Sequence, residues 1–414
     1  MSLTQELKDT LTLILAGGQG ERLMPLTAFR AKPAVPFGGC YRIIDFTLSN
    51  CIHSGLRRIM LLTQYQARSL EEHIRFGWNF LPRRLEQYIG VLPPHHLSGN
   101  QKWYLGTADA IFQNLELIEH EAPKHVLILS GDHIYKMDYS WMLRDHLIKR
   151  SKCTIGAVRI PASEASRFGI LECDAKNRVT GFCEKPKRDA KEIPGDPGFC
   201  LGSMGIYIFE VDELKRRLLE NQGIPGSGHD FGKDIIPRMV PDGHVFAHSY
   251  RQKAGEVNPY WRDVGTIDAL YDANMDLCKV TPQFNLYDFD WPIYTLWHND
   301  PPAKCVFDAK AVDSLLCPGV IVSGADIRNS ILSSRVNVQA GAEVHDSLLF
   351  HGVVVHPGAK VRRAIVDKWT EIPAGARIGF DVEEDRKQFT VTPSGITVVP
   401  TRYRFDSFDR AHPG

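Results

Sequence analysis

The chain has 414 residues, which is long enough for two domains, each with a hydrophobic core of its own. Apolar residues make up 43% and charged residues 24%, as in ordinary soluble globular proteins, and this composition argues against a disordered or fibrous chain. Lysine plus arginine and aspartate plus glutamate both total 49, so the formal net charge is zero; this argues against a nucleic acid or a membrane surface as the main partner.

The cysteines and the first residues bear on the cellular compartment. The nine cysteines are scattered without a C-x-x-C pair, which predicts reduced thiols and neither a disulfide framework nor a zinc site. The start, MSLTQELKDT, lacks the basic and then apolar pattern of a secretory signal, and no stretch approaches 18 apolar residues. We therefore expect a cytoplasmic protein.

A glycine-rich loop follows the first apolar run. Residues 11–23 read LTLILAGGQGERL, and the short aliphatic run is typical of a buried strand of an α/β sheet that ends in a loop. Glycine lets backbone N–H groups approach a ligand closely. The loop lacks the Gly-Lys-Ser/Thr of a Walker loop and the third glycine of a dinucleotide fingerprint. On this stretch alone, a nucleotide-binding loop and an ordinary tight turn are both open.

From residue 11 to about residue 278, apolar strands alternate with amphipathic helices. This pattern predicts an α/β fold with a Rossmann-like, mostly parallel sheet that helices cover on both faces. The strand candidates are 11–16, 57–63, 125–130, 153–160 and 201–209. We also expect one helix over ADAIFQNLELIEHEA, with Thr107 available as its cap, and another that starts at Ser140.

A linker and a repeat occupy the rest of the chain. Residues 280–305 contain irregularly spaced prolines and aromatic residues, typical of a linker that packs on a surface. Gly-Ala pairs then recur every 17 residues, and β-branched residues keep the same interval at Ile327, Val344, Val361 and Ile378. Such fixed spacing over four turns predicts stacked coils of short strands, a left-handed parallel β-helix. The expected domains are therefore 10–279 and 306–400, joined by the linker.

Charged residues near the glycine loop could surround a polyphosphate. Arg22 and Lys32 stand ten residues apart beside flexible backbone donors, so together they can place positive charge on two sides of a phosphate chain. Asp132 follows the strand over 125–129, at the end of a strand where open α/β sheets bind ligands. Asp263, in PYWRDVGT, is a second carboxylate, and two converging carboxylates would suit Mg²⁺. Each of these residues alone could equally be a solvated charge or a loop cap.

Other stretches carry side chains suited to a sugar or a base. FCEKP supplies Glu184 and Lys185, which could hold a sugar hydroxyl and a phosphate together, although a solvated charge pair is the commoner fate of such neighbours. Ser203 in LGSMGIYIF could donate a hydroxyl, or could simply be a small residue packed in a strand. Trp103 and Tyr104 offer aromatic faces, with burial in the core as the alternative.

Taken together, these stretches resemble the ADP-glucose pyrophosphorylases, or glucose-1-phosphate adenylyltransferases, of bacterial glycogen synthesis. The matching stretches are LAGGQGERL, AKPAV, RIIDFTLSN, WYLGTADAIFQN, SGDHIYKMDY, EKP, SMGIYIF, HDFGKDIIP and YWRDVGT, followed by the β-helix repeat. The resemblance covers residues 11–400, and several stretches are longer than chance allows. The glycine loop alone would indicate only the wider group of sugar-nucleotide pyrophosphorylases.

The resemblance implies an activity and a set of site residues. The expected reaction converts ATP and glucose 1-phosphate to ADP-glucose and diphosphate, with Mg²⁺, in an allosterically regulated homotetramer. The expected catalytic residues are Arg22, Lys32 and Asp132, and the expected metal ligands are Asp132 and Asp263. Those expected at the nucleotide are Leu15, Ala16, Gly17, Gly18, Gly20, Gln64, Gly106 and Thr107. Those expected at the sugar phosphate are Tyr104, Gly169, Glu184, Lys185 and Ser203.

The region around AKP departs from the pattern of the family. Many bacterial members carry two basic residues just before AKP and a lysine after FGG, whereas this chain has Phe29-Arg30 and Cys40, with Arg42 kept. Arg30 and Arg42 are the expected allosteric residues. The resemblance implies a sugar-phosphate or pyruvate-type activator and a nucleotide inhibitor. The lost positive charge predicts an altered effector preference or weaker activation by a bisphosphorylated sugar.

Three other functions share features with this sequence. A thymidylyl- or uridylyltransferase shares the glycine loop, but FGGCYRIIDF, HDFGKDIIP and the repeat favour the ADP-glucose branch. A non-catalytic regulatory subunit tends to lose the loop arginine or the metal-binding acid, and this chain has both. An acyltransferase would need a catalytic histidine among the coils, where His345, His351 and His356 are better explained as exposed turn residues.

Overall fold

The computed structural model describes residues 2–94, 96–97, 100–101, 103–251 and 259–405. These residues form two compact units, and each unit is assembled from three separate stretches of the chain. The first unit comprises the described residues within 1–18, 46–67 and 74–261, and the second those within 19–45, 68–73 and 262–414. In the described part of the chain, no helix is both long enough and apolar enough to cross a membrane.

Strands and helices alternate over the first 280 residues, as the sequence pattern predicts. The strands are β1 (Thr10–Ala16), β2 (Pro36–Phe37), β3 (Tyr41–Arg42), β4 (Arg58–Thr63), β5 (Tyr88–Leu92), β6 (His96–Leu97), β7 (Asn100–Gln101), β8 (His125–Ser130), β9 (His133–Tyr135), β10 (Cys153–Pro161), β11 (Gly169–Cys173), β12 (Val179–Glu184), β13 (Phe199–Glu210), β14 (Val245–Ser249) and β15 (Trp261–Asp263). The helices are α1 (Leu3–Lys8), α2 (Ile43–His53), α3 (Arg68–Gly77), α4 (Thr107–Phe112), α5 (Leu115–Glu121), α6 (Tyr139–Ile148), α7 (Val211–Gln222), α8 (Ile236–Met239) and α9 (Ile267–Asp276).

The first unit is built on a nine-stranded sheet. Its strand order is β12–β11–β13–β8–β1–β4–β5, and β10 pairs with both β13 and β14. The strands β8, β1, β4 and β5 are parallel to one another, as predicted. The other half is mixed, because β13 runs antiparallel to β8, β10 and β11. The parallel half brings the carboxyl ends of β4, β1 and β8 to one edge of the sheet, where open α/β folds bind ligands.

The helix predicted over ADAIFQNLELIEHEA is in fact two helices, α4 and α5. The break falls at Asn114, which precedes α5, and whose side-chain amide donates to the Ala110 carbonyl at 2.8 Å. Gly106, not Thr107, is the N-cap residue of α4. The cap predicted at Thr107 is therefore wrong. The helix predicted to start at Ser140 begins one residue earlier, with Asp138 as its cap.

The C-terminal repeat forms a left-handed parallel β-helix, as predicted. Its strands are β16 (Lys304–Val306), β17 (Lys310–Val312), β18 (Leu315–Leu316), β19 (Ile321–Ser323), β20 (Asp326–Arg328), β21 (Ile331–Leu332), β22 (Asn337–Val338), β23 (Glu343–His345), β24 (Leu348–Leu349), β25 (Val354–Val355), β26 (Lys360–Arg362), β27 (Ala364–Val366), β28 (Glu371–Ile372), β29 (Arg377–Ile378), β30 (Thr390–Val391) and β31 (Thr397–Val399). They form three sheets along the stack. Residues one repeat apart are direct partners, so their buried side chains build a continuous core: Ile327, Val344, Val361 and Ile378.

Two segments of the second unit complete its packing. The stretch 280–303 forms neither helix nor strand, yet Phe284 and Ile293 within it are buried. The helix α10 (Val382–Gln388), which the sequence analysis did not predict, interrupts the repeat. Asp381 caps α10 by accepting hydrogen bonds from two backbone N–H groups of its first turn.

Candidate active site

The predicted site residues are divided between the two units. The first unit holds Leu15, Ala16, Gly17, Gly18, Gln64, Tyr104, Gly106, Thr107, Asp132, Gly169, Glu184, Lys185 and Ser203. The second unit holds Gly20, Arg22, Arg30, Lys32, Arg42 and Asp263.

The glycine loop leaves β1 at the carboxyl edge of the parallel strands. Leu15 of β1 is in register with Ser130 of β8, and β4 flanks β1 on the other side. A Cβ on Gly17 would lie 3.0 Å from the Cβ of Gln64, so the close approach of the loop to the end of β4 favours glycine there. A Cβ on Gly18 would meet no atom within 4 Å. The packing of the protein does not require glycine at position 18, so the open space beside it is available to a ligand.

Asp132 lies just beyond β8 at this edge of the sheet. Its carboxylate accepts a hydrogen bond from the Ser130 hydroxyl, and its Oδ1 lies 3.5 Å from Nδ1 of His133. The side chain is 28% exposed, so its oxygens are oriented by the protein yet still reachable from solvent. Carboxylate oxygens are the protein ligands that Mg²⁺ prefers. The residue type, its orientation and its exposure therefore fit a magnesium ligand.

The segment before α4 is joined to its surroundings by hydrogen bonds. The backbone N–H of Tyr104 donates to Oε1 of Gln64 at 3.0 Å, and burial raises the pKa of the Tyr104 phenol. The Thr107 hydroxyl donates to Asp230 at 3.1 Å and accepts from the N–H of Phe231 at 3.0 Å. The Tyr104 bond holds the segment before α4 beside the end of β4, and the two Thr107 bonds join the start of α4 to residues 230–231.

An acid and a base meet where β12 ends. Glu184 is paired in register with Gly169 of β11, and its Oε1 lies 3.2 Å from Nζ of Lys185. Lys185 has a φ of 48° and its N–H donates to the Phe168 carbonyl at 2.9 Å, so its backbone is fixed. Its side chain is 59% exposed, against 18% for Glu184. The ammonium group can therefore turn to an incoming phosphate without unburying the carboxylate.

Ser203 lies in β13 beside the bulge in the pairing of β13 with β10. Its side chain is hydrogen-bonded to the Tyr207 phenol, and its hydroxyl accepts from the N–H of Gly205 at 3.3 Å. Ser203 is only 9% exposed. These contacts are those of a residue packed in a strand, so its place at the sugar phosphate stays a prediction.

In the second unit, three charged side chains converge on Gly265. Nζ of Lys32 donates to Oδ1 of Asp263 at 3.1 Å, and the two side chains are 9% and 18% exposed. A Cβ on Gly265 would lie 2.7 Å from Asp263 Oδ1, 2.9 Å from Arg22 Nη2 and 3.1 Å from Lys32 Nζ. Only glycine leaves room for the two cations and the carboxylate to approach this point together. We did not predict Gly265 from the sequence, although its place two residues after Asp263 could have suggested it.

Gly20 helps to bring the turn that carries Arg22 close to the turn that carries Lys32. It has a φ of 66° and precedes the 3₁₀ turn Glu21–Leu23, which carries Arg22. The Gly20 carbonyl accepts a hydrogen bond from the Thr27 hydroxyl at 2.8 Å. The loop is thereby folded back toward the turn that carries Lys32.

A cavity of about 200 Å³ in the second unit is lined by basic and polar side chains. They include Arg42, His73, His298, Ser333, Ser334, His351 and Lys368. Arg42 donates through Nη1 to the carbonyl and the hydroxyl of Ser69, and burial lowers its pKa to about 10. Burial and the charges of Arg42 and Arg30 lower the pKa of Lys368 to about 7. An anion entering this cavity would relieve the unfavourable burial of positive charge.

Arg30 is instead held in an ion pair. Its Nη1 and Nη2 each lie 2.9 Å from an oxygen of Asp367, and the two side chains are 6% and 1% exposed. Arg42 lines the cavity and Arg30 does not, and the predicted contacts of both residues with an effector stay predictions. The sequence analysis missed Lys368, because only the coiling of the β-helix brings it to this cavity.

Comparison with known proteins identifies the family. The family model described as nucleotidyl transferase matches residues 11–280, and the one described as GlmU-like, C-terminal hexapeptide matches residues 301–399. A protein of Nitrosospira multiformis named glucose-1-phosphate adenylyltransferase is 48% identical, over 96% of this chain and 95% of its own length. A Vibrio cholerae protein named glucose-1-phosphate adenylyltransferase 2 is 49% identical, over 97% of this chain and 100% of its own length. The chain is therefore a nucleotidyltransferase, and it belongs to the glucose-1-phosphate adenylyltransferase family.

Proposed function

We propose that this protein transfers the adenylyl group of ATP to glucose 1-phosphate, giving ADP-glucose and diphosphate for glycogen synthesis. The observation that carries the proposal is the convergence of Arg22, Lys32 and Asp263 on Gly265, which gathers two cations and a carboxylate at one point. Such a cluster suits a polyphosphate and a divalent cation. The names of the related proteins support the same reaction.

The reaction requires charge stabilisation more than covalent chemistry. An oxygen of the sugar phosphate attacks the α-phosphorus of ATP, and the bond to the leaving diphosphate breaks, so negative charge grows on diphosphate. In the proposal, Arg22 and Lys32 face that charge. Because Lys32 is nearly buried and held by Asp263, its ammonium group is oriented before the reaction starts.

The proposal includes Mg²⁺ as cofactor, with Asp132 and Asp263 as the residues that would hold it. The bound ion would supply positive charge and orient phosphate oxygens. Ser130 orients the carboxylate of Asp132, and Lys32 that of Asp263. Chelation of divalent cations should abolish the activity, and added Mg²⁺ should restore it; full activity in a chelator would remove the metal from the proposal.

We expect glucose 1-phosphate to bind beside Glu184 and Lys185, at the end of β12. The exposed ammonium of Lys185 can pair with the sugar phosphate, while Glu184 accepts hydrogen bonds from sugar hydroxyls. We expect Lys185→Met to raise the KM for glucose 1-phosphate much more than the KM for ATP. The matched control is Lys187→Met, two residues further along the same loop, which should leave both constants unchanged. Equal effects on both substrates would count against this assignment.

The substrate pair is tested by initial rates of diphosphate release. The protein is given glucose 1-phosphate and, in turn, ATP, UTP, dTTP, CTP and GTP. We expect ATP to be preferred by kcat/KM, with ADP-glucose as the product identified by mass. A preference for UTP or dTTP would show instead a transferase for another nucleotide sugar.

We also propose that the cavity lined by Arg42 and Lys368 binds an anionic activator, such as a sugar phosphate or a pyruvate-type carboxylate. We further propose that the protein is a cytoplasmic homotetramer and that a nucleotide inhibits it. Arg42→Gln should raise the activator concentration for half-maximal activation while changing the basal rate little. Fructose 1,6-bisphosphate, fructose 6-phosphate and pyruvate are compared as activators. Strong preference for the bisphosphate would contradict the weaker response expected from Phe29 and Cys40. Light scattering measures the oligomeric state.

A further inference from the structure

Two thiols from distant parts of the chain meet beside the cavity of Arg42. Cys40 lies in the turn between β2 and β3 and lines the cavity, while Cys317 follows β18 and is 7% exposed. Each thiol shifts the pKa of the other, and Sγ of Cys317 lies against Gly39, the residue that precedes Cys40. Both residues belong to the second unit, although 277 positions separate them in the sequence.

Gly39 makes this approach possible. It has a φ of 84°, and a Cβ on it would lie 2.4 Å from Sγ of Cys317. Any other residue at position 39 would therefore push Cys317 away. The backbone N–H of Cys317 also donates to the Leu332 carbonyl at 2.9 Å, so the buried thiol is held in place by the β-helix.

The two thiols differ in reactivity. The neighbouring Cys317 thiol lowers the pKa of the Cys40 thiol, because a hydrogen bond from it would stabilise the thiolate. The same contact, together with burial, raises the pKa of Cys317. Cys40 is also the more exposed of the pair. A reactive thiol beside a buried second thiol is the arrangement found in redox-sensing cysteine pairs.

We propose that Cys40 and Cys317 form a reversible disulfide that adjusts the response of the neighbouring cavity to its effector. With a low-molecular-weight disulfide as the oxidant, the Cys40 thiolate attacks one sulfur and releases one thiolate. Cys317 then loses its proton and attacks the Cys40 sulfur, which releases the second thiol. Two protein thiols and one disulfide thus become one protein disulfide and two small thiols, and a dithiol reductant reverses the exchange.

The disulfide would act on Arg42. Cys40 stands two residues before Arg42, which lies in β3, so a bond to the β-helix restricts the strand that carries this cation. The proposed effect on activation rests on the proposed function, whereas formation of the disulfide does not. The formation of the disulfide and its effect on activation are therefore measured separately.

The first measurement is chemical and uses the full chain in glutathione buffers of increasing oxidised fraction. After alkylation and trypsin digestion, Cys40 lies alone in peptide 31–42 and Cys317 alone in peptide 311–328, so a cross-link between them has a single mass. We expect this cross-linked mass to increase with the oxidised fraction and to vanish with dithiothreitol. Cys305→Ser, which removes an exposed thiol of the same unit, should leave the result unchanged.

Two variants test the order of attack. In Cys317→Ser, Cys40 should accumulate as a mixed disulfide with glutathione, because the second thiol is missing. In Cys40→Ser, the buried Cys317 should stay reduced. Separate alkylation of Cys40 and Cys317 in the wild type throughout the series would overturn the proposal, even if a variant failed to fold.

The second measurement compares activation of the reduced and the oxidised wild type. We expect the effector concentration for half-maximal activation to differ by about fivefold or more between the two forms. Cys305→Ser should show the same difference. An unchanged effector response, in protein shown to carry the disulfide, would overturn the regulatory role and leave the proposed reaction untouched.

Discussion

Arg30 and Asp367 form a bidentate ion pair that is buried in the second unit, although they lie 337 positions apart in the sequence. Asp367 partly offsets the charge of Arg30, which lies close enough to Arg42 and Lys368 to lower the pKa of both groups. The backbone N–H of Lys368 also donates to Asp367 Oδ1, at 2.7 Å. Asp367 thus fixes both Arg30 and the start of the segment that carries Lys368.

Breaking this pair should destabilise the protein. Arg30→Met leaves the Asp367 carboxylate buried without its charged partner, and we expect a loss of about 3 kcal/mol or more in the free energy of unfolding. The measurement is urea unfolding followed by fluorescence. Arg328→Met is the matched control, because its pair with Asp326 has the same 2.9 Å separation but an arginine side chain that is 59% exposed. A similar stability for both variants would contradict a structural role for the Arg30 pair, whereas Arg30→Met/Asp367→Leu should recover part of the loss.

Gly18 of the loop should respond to an added methyl group in its substrate binding and not in its stability. Gly18→Ala meets no atom within 4 Å, so the folded protein should keep its melting temperature. If the backbone at Gly18 approaches the nucleotide, however, the added methyl group should raise the KM for ATP by about tenfold, which corresponds to about 1.4 kcal/mol. Gly223→Ala, at the end of α7, is the control and should change neither quantity. A normal KM for ATP in Gly18→Ala would place the nucleotide elsewhere.

Much of the fold could be predicted because its signals are local or periodic. β1 and β8 are short apolar runs with buried residues on both faces, and the β-helix repeats its buried residues at a fixed interval. The break between α4 and α5 could not be predicted in this way. It depends on Asn114, whose side chain reaches back to Ala110 and also donates to the Tyr104 hydroxyl at 3.4 Å.

The candidate site was predicted less completely, for a related reason. Arg22, Lys32 and Asp263 were chosen by residue type and by resemblance, and the structure brings them together. Gly265 and Lys368 were missed because their importance arises mainly from cations more than 200 positions away: Arg22 and Lys32 for Gly265, Arg30 and Arg42 for Lys368. No hydrophobic period or short motif records such contacts, so only the folded chain reveals them.

Asp132 should be required for turnover but not for folding. Asp132→Asn keeps the size of the side chain and can still pair with Ser130, so the melting temperature should change little. Losing the negative charge should reduce kcat by about a hundredfold or more, corresponding to about 3 kcal/mol of transition-state stabilisation. Asp212→Asn, an exposed residue in the first turn of α7, is the control for charge removal in the same unit. Near-normal turnover of Asp132→Asn at saturating Mg²⁺ would remove Asp132 from the mechanism.

Lys368 should make stability depend on pH in a defined range. Burial, with the charges of Arg42 and Arg30, lowers its pKa from the usual value of 10.5 to about 7 in the folded protein. Between these two values the unfolded chain holds a proton that the folded protein has lost, so this residue makes stability rise with pH across that range. Below about pH 7 the folded protein carries the buried charge, and its full cost is present.

Lys368→Met removes that cost while keeping a side chain of similar length. We expect the melting temperature of Lys368→Met to exceed that of the wild type most clearly near pH 6, and the difference to shrink as the pH approaches about 10. Lys310→Met, at an exposed position of β17, should show no such pH-dependent difference from the wild type. A difference between Lys368→Met and the wild type that stays constant from pH 6 to pH 10 would mean that the ammonium group is not buried at cost, and that Lys368 acts through packing alone.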